Sequence, residues 1–164
     1  MQKELEIKFL SDFEQNQNIV HKVCRIYTTN QQAHNDLFQE ITIQLWKNYS
    51  KFRGDSKFST WMYRVALNTA ISLYRKSTRR IKTQDISSVS YKIASIDYDD
   101  TQDVQLQALY KAIHYLNDID KALIFLYLED KPYKEIAITL GISEVNARVK
   151  MNRAKGKLKK ILNP

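Results

Sequence analysis

Only three glycines and two prolines interrupt 164 residues, and this scarcity of chain breakers is the tightest constraint on what the sequence can become. Hairpins and tight turns draw on those residue types, so a fold of many short strands would lack its punctuation here. Long stretches instead repeat apolar residues at intervals of three and four, the period of one helix face. The sequence therefore predicts an all-α protein. Its 43% of hydrophobic residues is enough to pack one medium domain or two small ones.

Apolar spacing predicts helices over about residues 6–27, 33–49 and 59–76, then a different texture. The segment "TRRIKTQDISSVSYKIASIDYDDTQD" (78–103) lacks sustained helical periodicity and is rich in Ser, Thr and Asp. It reads as a linker too long for a loop inside one compact domain. Two small helical domains follow, 1–77 and 104–164. The charge divides the same way: 11 basic and 7 acidic residues in 1–77, 4 and 5 in 78–103, 11 and 6 in 104–164. Two basic halves around an acidic middle, with a pI near 9.5, favour a polyanionic partner.

Several functions are disfavoured. Cys24 is the sole cysteine, so no intramolecular disulfide or cysteine zinc site is expected. His21, His34 and His114 are not at metal-ligand spacing, and there is no nucleophile elbow or phosphate-cradling glycine loop. We expect no catalysis, no cofactor and no small-molecule substrate. No long apolar run appears, and "MQKELEIKFL" is too charged for a secretory signal, so membrane insertion is not expected and the cytoplasm is the expected compartment.

The stretch "KFRGDSKFSTWMYRVALN" crowds rings and cations around Gly54. In the helix that follows, Trp61, Arg64, Asn68, Ser72 and Arg75 fall within an arc of about 80° at roughly 100° per residue. Beside Phe52, Arg53, Lys57 and Phe58, that stripe suits single-stranded DNA, whose bases stack on rings while Arg and Lys meet phosphates. Taken singly, each ring could equally close a helical bundle. In the preceding helix Leu37, Ile41 and Leu45 lie one turn apart, leaving Asp36, Gln39, Glu40 and Lys47 toward solvent.

The segment "YKEIAITLGISEVNARVKMNRAKGKLKKIL" reads as a helix-turn-helix, with Gly141 ending the first helix in the left-handed region and Ser143 capping the second. Ala147, Met151, Ala154 and Leu158 form a core side. The opposite side carries Val145, Asn146, Val149, Asn152 and Arg153, with Arg148 at its margin. Valines facing away from a core suit thymine methyls, and Asn can read adenine bidentately. Arg148, Lys150, Arg153 and Lys155 can meet phosphates.

Together "DLFQEITIQLW", "FRGDSKFSTWMYRVALNTAI" with its following "YRK", and "YKEIAITLGISEVNARVKMNRAKGKL" resemble bacterial RNA polymerase sigma factors of the extracytoplasmic-function (ECF) class, over nearly the whole chain. The resemblance implies regions 2 and 4 joined by a linker, with core RNA polymerase and promoter DNA as partners and an anti-sigma factor as a third. It implies that Asp36, Leu37, Gln39 and Glu40 dock on the polymerase. Phe52, Arg53, Lys57, Phe58, Trp61, Arg64, Asn68 and Arg75 would bind and open the minus-ten element. Ser143, Val145, Asn146, Arg148, Val149, Asn152 and Arg153 would read the minus-thirty-five element. Pro132 stands where the family has a Ser cap and is expected to serve as the first helical residue; Ala147 replaces a common valine. Two other classes compete: a stand-alone helix-turn-helix regulator with a sensing N-terminal half, and a sigma mimic that titrates an inhibitor without reading DNA.

Overall fold

The computed structural model describes residues 1–84 and 104–164 and is helical throughout that extent. With the labels that the resemblance gives the two halves, region 2 consists of α1 (Gln2–Tyr27), α2 (Gln31–Asn48), a 3-10 turn (Tyr49–Lys51) and α3 (Phe58–Gln84). Region 4 consists of α4 (Val104–His114), α5 (Asp118–Leu128), α6 (Tyr133–Leu140) and α7 (Glu144–Leu162). In α2 the Asn30 side chain accepts the Ala33 N–H at 2.8 Å, and Asn117 caps α5 through Asp120 in the same way; each satisfies a donor that a helix start leaves open. Leu37, Ile41 and Leu45 are buried one turn apart, facing Val20, Val23 and Cys24 of α1 and Met62, Ala66 and Leu67 of α3 in one core.

Three helix boundaries differ from expectation, the first being the start of α1, at Gln2 rather than near residue 6. α3 continues past residue 76 to Gln84, because the polar stretch there contains good helix formers and no breaker; Thr78 turns its hydroxyl back onto the Tyr74 carbonyl at 2.8 Å. The start of the segment read as linker is thus helical, and the rest of it lies outside the described residues. Pro132 is not the first helical residue. Its ψ of 155° is extended, and its carbonyl accepts the Ile136 N–H at 3.0 Å, so it occupies the N-cap and α6 begins at Tyr133.

A polar linker suggests halves that fold apart, yet regions 2 and 4 pack against each other. Tyr27 donates its hydroxyl to the Asp118 carbonyl at 2.7 Å. His114 donates to the Arg25 carbonyl at 3.0 Å. Tyr63 meets Phe125 with ring centroids 5.9 Å apart, Lys22 pairs with Glu129 at 3.0 Å, and Arg75 pairs with Asp118. At the centre lies Lys121, 1% exposed. Its ammonium donates to the His114 carbonyl at 3.1 Å and the Tyr74 hydroxyl at 3.4 Å, and it sits 4.5 Å from the Tyr74 ring centroid.

Burial, only partly offset by the Asp118 carboxylate, pulls the Lys121 ammonium down from 10.5 to about 8. The unfolded chain holds that proton up to about 10.5, whereas the folded chain releases it near 8. Stability from this group is therefore gained as pH rises between those values. Relative to Lys121→Met, the wild type is expected to gain stability from pH 7 to pH 10.5, with a limit on the order of 3 kcal/mol. Paired thermal melts across that range measure it; parallel curves would mean the ammonium is solvated in the native state.

Candidate nucleic-acid interface

The loop between α2 and α3 turns at Gly54, whose φ of +79° lies in the left-handed region that favours glycine. It carries Arg53 and Lys57 outward, both exposed. Phe52, Phe58 and Trp61 fold back as a mutually packed set over Tyr49, with ring centroids 5.3–6.3 Å apart. Tyr49 is anchored beneath them, donating to the Asp12 carboxylate at 2.7 Å; burial first, then that carboxylate, pushes its phenol up to about 12. The three outer rings are half-buried. They close the end of the bundle, packed against the core, and remain partly exposed.

From this cluster the stripe runs along α3. Arg64, Asn68 and Ser72 are exposed. Arg75 is exposed too, but its guanidinium is held by Asp118 of region 4. On α2, Asp36 and Gln39 are exposed and Glu40 is half-buried, while Leu37 is only 7% exposed and supports that face from beneath. A groove of about 570 Å³ runs beside it, walled by Asp36, Leu37 and Glu40 on one side and by His114 and Lys121 of region 4 on the other.

The helix-turn-helix has the expected joint. Gly141 takes φ +68°, and the Ser143 hydroxyl accepts the Asn146 N–H at 3.0 Å. Ala147, Met151 and Ala154 are buried, with Leu158 partly so. On the other side Val145 is 73% and Val149 43% exposed, beside exposed Asn146, Asn152 and Arg153. Arg148 is braced by Glu144 at 3.2 Å and lies 4.4 Å from the Tyr133 ring centroid. Lys155 instead covers the Tyr127 ring at 3.7 Å, and Lys150 is half-buried. Sequence reading missed Ile138, 55% exposed on α6. The signal was present, since Ile136 and Ala137 carry the apolar side of that helix and leave Ile138 outside it.

The structure brings His21 and His34 together at 3.0 Å. No group of three or more His, Cys, Asp or Glu side chains placed to hold a metal ion occurs among the described residues. Likewise, none of the helices described is long and apolar enough to cross a membrane.

Comparison with known proteins agrees with this geometry. Residues 13–80 match the family model of sigma-70 region 2, and residues 106–158 match that of sigma-70 region 4. The ECF RNA polymerase sigma-E factor of Haemophilus influenzae is 28% identical over 140 residues, 79% of this chain and 74% of that protein. The RNA polymerase sigma-H factor of Pseudomonas aeruginosa is 27% identical over 158 residues, 88% of this chain and 82% of that protein. In fold, the chain is similar to the sigma factor RpoE from Bartonella quintana, solved with the anti-sigma factor NepR. That match has a TM-score of 0.77 at 18% identity, covering 94% of this chain and 96% of that one. It is also similar to CnrH, solved with the cytosolic domain of CnrY, with a TM-score of 0.68 at 18% identity, covering 96% and 89%. With regions 2 and 4 matched in order on either side of a linker, the chain belongs to the ECF-type RNA polymerase sigma factors, non-catalytic subunits that direct the polymerase to promoters and start transcription.

Proposed function

We propose that the residues divide the work of initiation as follows. Asp36, Gln39 and Glu40, set over buried Leu37, dock the chain on core polymerase. Phe52, Phe58 and Trp61, flanked by Arg53, Lys57, Arg64 and Asn68, take up the unpaired strand of the minus-ten element. Val145, Asn146, Val149, Asn152 and Arg153, with Arg148 at the edge, enter the major groove of the minus-thirty-five element. The observation that carries this reading is the exposed face of α7. Two valines and two asparagines gain nothing there from folding, and they match the methyl and amide contacts of a base-reading helix.

The packed arrangement cannot serve both DNA elements at once. A folded chain of this length has a radius of gyration of about 15 Å. Elements about 25 base pairs apart lie roughly 85 Å from each other along B-DNA. The contacts of Tyr27, His114, Lys121 and Asp118 must therefore part when polymerase binds. The chain works in the cytoplasm, where the polymerase is, and an anti-sigma factor holds it between rounds of use; the solved neighbours in complex with such factors support that partner class.

Run-off transcription with purified core polymerase tests the whole reading. Asp36→Lys with Glu40→Lys is expected to leave helicity and melting temperature within a few degrees of wild type, because both side chains avoid the core, while core binding weakens about tenfold or more. Unchanged core affinity would remove this face from the polymerase contact.

A further inference from the structure

Both helices of the helix-turn-helix converge on one guanidinium. Tyr133, the first residue of α6, lies under the Arg148 guanidinium, whose central carbon is 4.4 Å from the ring centroid. Glu144, the first residue of α7, accepts from Arg148 Nη2 at 3.2 Å, one turn back along the same helix. The ring is itself fixed from below, because Tyr133 is half-buried and packs on the core.

This clamp does little for the fold. The Arg148 and Glu144 side chains are 57% and 49% exposed, and an exposed pair at this spacing contributes little to stability. What it removes is freedom. An arginine side chain has several rotatable bonds, and bidentate contact with a base needs its fork held in one plane and at one rotation. The Tyr133 ring restricts the plane, since a guanidinium favours the face of an aromatic ring. The Glu144 carboxylate restricts rotation within that plane by taking one N–H. The other donors of the fork stay available.

We propose that Tyr133 and Glu144 are positioning residues that hold Arg148 ready for one guanine of the minus-thirty-five element. Guanine offers O6 and N7 side by side in the major groove, the pair of acceptors that a guanidinium fork matches. An arginine already held needs less ordering when DNA arrives. It also cannot swing to a phosphate when another base stands there, so a mismatch leaves its donors unpaired and is rejected more sharply. The inference rests on the reading of α7 as the helix that enters the major groove.

The test uses the full chain with core polymerase, on promoters in which each minus-thirty-five position carries each of the four base pairs in turn. Promoter binding and run-off yield are read for every variant beside its melting temperature. Arg148→Ala locates the position this side chain reads, where wild type is expected to favour guanine by about 5- to 100-fold. Tyr133→Leu, which keeps an apolar side chain on the core, is expected to lower that preference about 3- to 10-fold. Tyr133→Phe keeps the ring and is expected to preserve it. Preferences at the other positions should stay within about twofold of wild type in both. Glu144→Ala separates orientation from charge: losing a carboxylate beside the DNA strengthens binding to every element, yet the guanine preference at the Arg148 position should fall. Because Glu144 is exposed, that variant decides the matter if Tyr133→Leu proves too unstable to assay. Preference untouched by Tyr133→Leu or by Glu144→Ala, preference lost equally in Tyr133→Phe, or loss at the other positions as well would each overturn the positioning role while the reading of α7 stands. Uniform weakening by Arg148→Ala would make that arginine a phosphate contact and overturn the role too. A wild type with no preference at any minus-thirty-five position would overturn the reading of α7 itself.

Discussion

Lys22→Cys and Glu129→Cys, joined by a short reducible bis-maleimide, are expected to yield a folded protein that does not initiate transcription until reductant is added. The two native side chains meet at 3.0 Å across the junction of regions 2 and 4, so the tether fastens an arrangement the chain already holds. Neither residue belongs to the proposed DNA or polymerase contacts. The native thiol does not interfere, because Cys24 is fully buried and burial pushes its thiol up to about 12. With the regions fastened, region 4 stays against the groove beside Asp36 and Glu40 and cannot reach a site roughly 85 Å away. The expected loss in run-off transcription is more than a hundredfold, with recovery on reduction. A tethered chain that transcribes at the free rate would show that the two regions need not part.

The second large effect concerns strand opening. Arg64→Ala with Asn68→Ala is expected to slow open-complex formation on a duplex promoter by roughly ten- to a hundredfold, the loss of one or two base or phosphate contacts. Both side chains are exposed and neither belongs to the core, so the melting temperature should barely move. Phe58 and Trp61 are poorer probes, since both pack on Tyr49 and their removal would damage the bundle as well. A template already mismatched across the bubble removes the cost of unpairing, so much of the activity should return there. Permanganate footprints of the two templates, read beside transcript yield, separate melting from later steps. Wild-type melting by the double variant would make this stripe ordinary helix surface.

How much of this was legible in the sequence depends on the range over which each feature is decided. The helix-turn-helix was readable because Gly141 and Ser143 act within one turn of themselves: the first supplies a left-handed residue and the second an oxygen for a nearby N–H. The burial of Leu37, Ile41 and Leu45 follows from spacing alone. The sequence ends the apolar pattern of α3 near residue 76, but with no glycine or proline in 77–84 the helix runs on to Gln84. The ring cluster was half legible. Composition marked Phe52, Phe58 and Trp61, but Tyr49 as the floor beneath them is a tertiary fact. Least legible was the packing of region 4 on region 2. Tyr27, Tyr74, His114 and Lys121 are scattered along the chain, and a lysine in an amphipathic helix is ordinarily assigned to solvent.

That junction has a further consequence for the opened form. A surface that bares a large apolar patch to water when it comes apart invites aggregation. Here the parting faces join the buried Tyr63–Phe125 ring pair to phenol hydroxyls, an imidazole, an ammonium and carboxylates, and the polar groups can exchange their partners across the junction for water at modest cost. On release the Lys121 ammonium would exchange the Tyr74 hydroxyl for water while keeping the His114 carbonyl of its own region. If the regions part as proposed, the surface exposed is mixed: rings that favour closing again beside polar groups that water can satisfy.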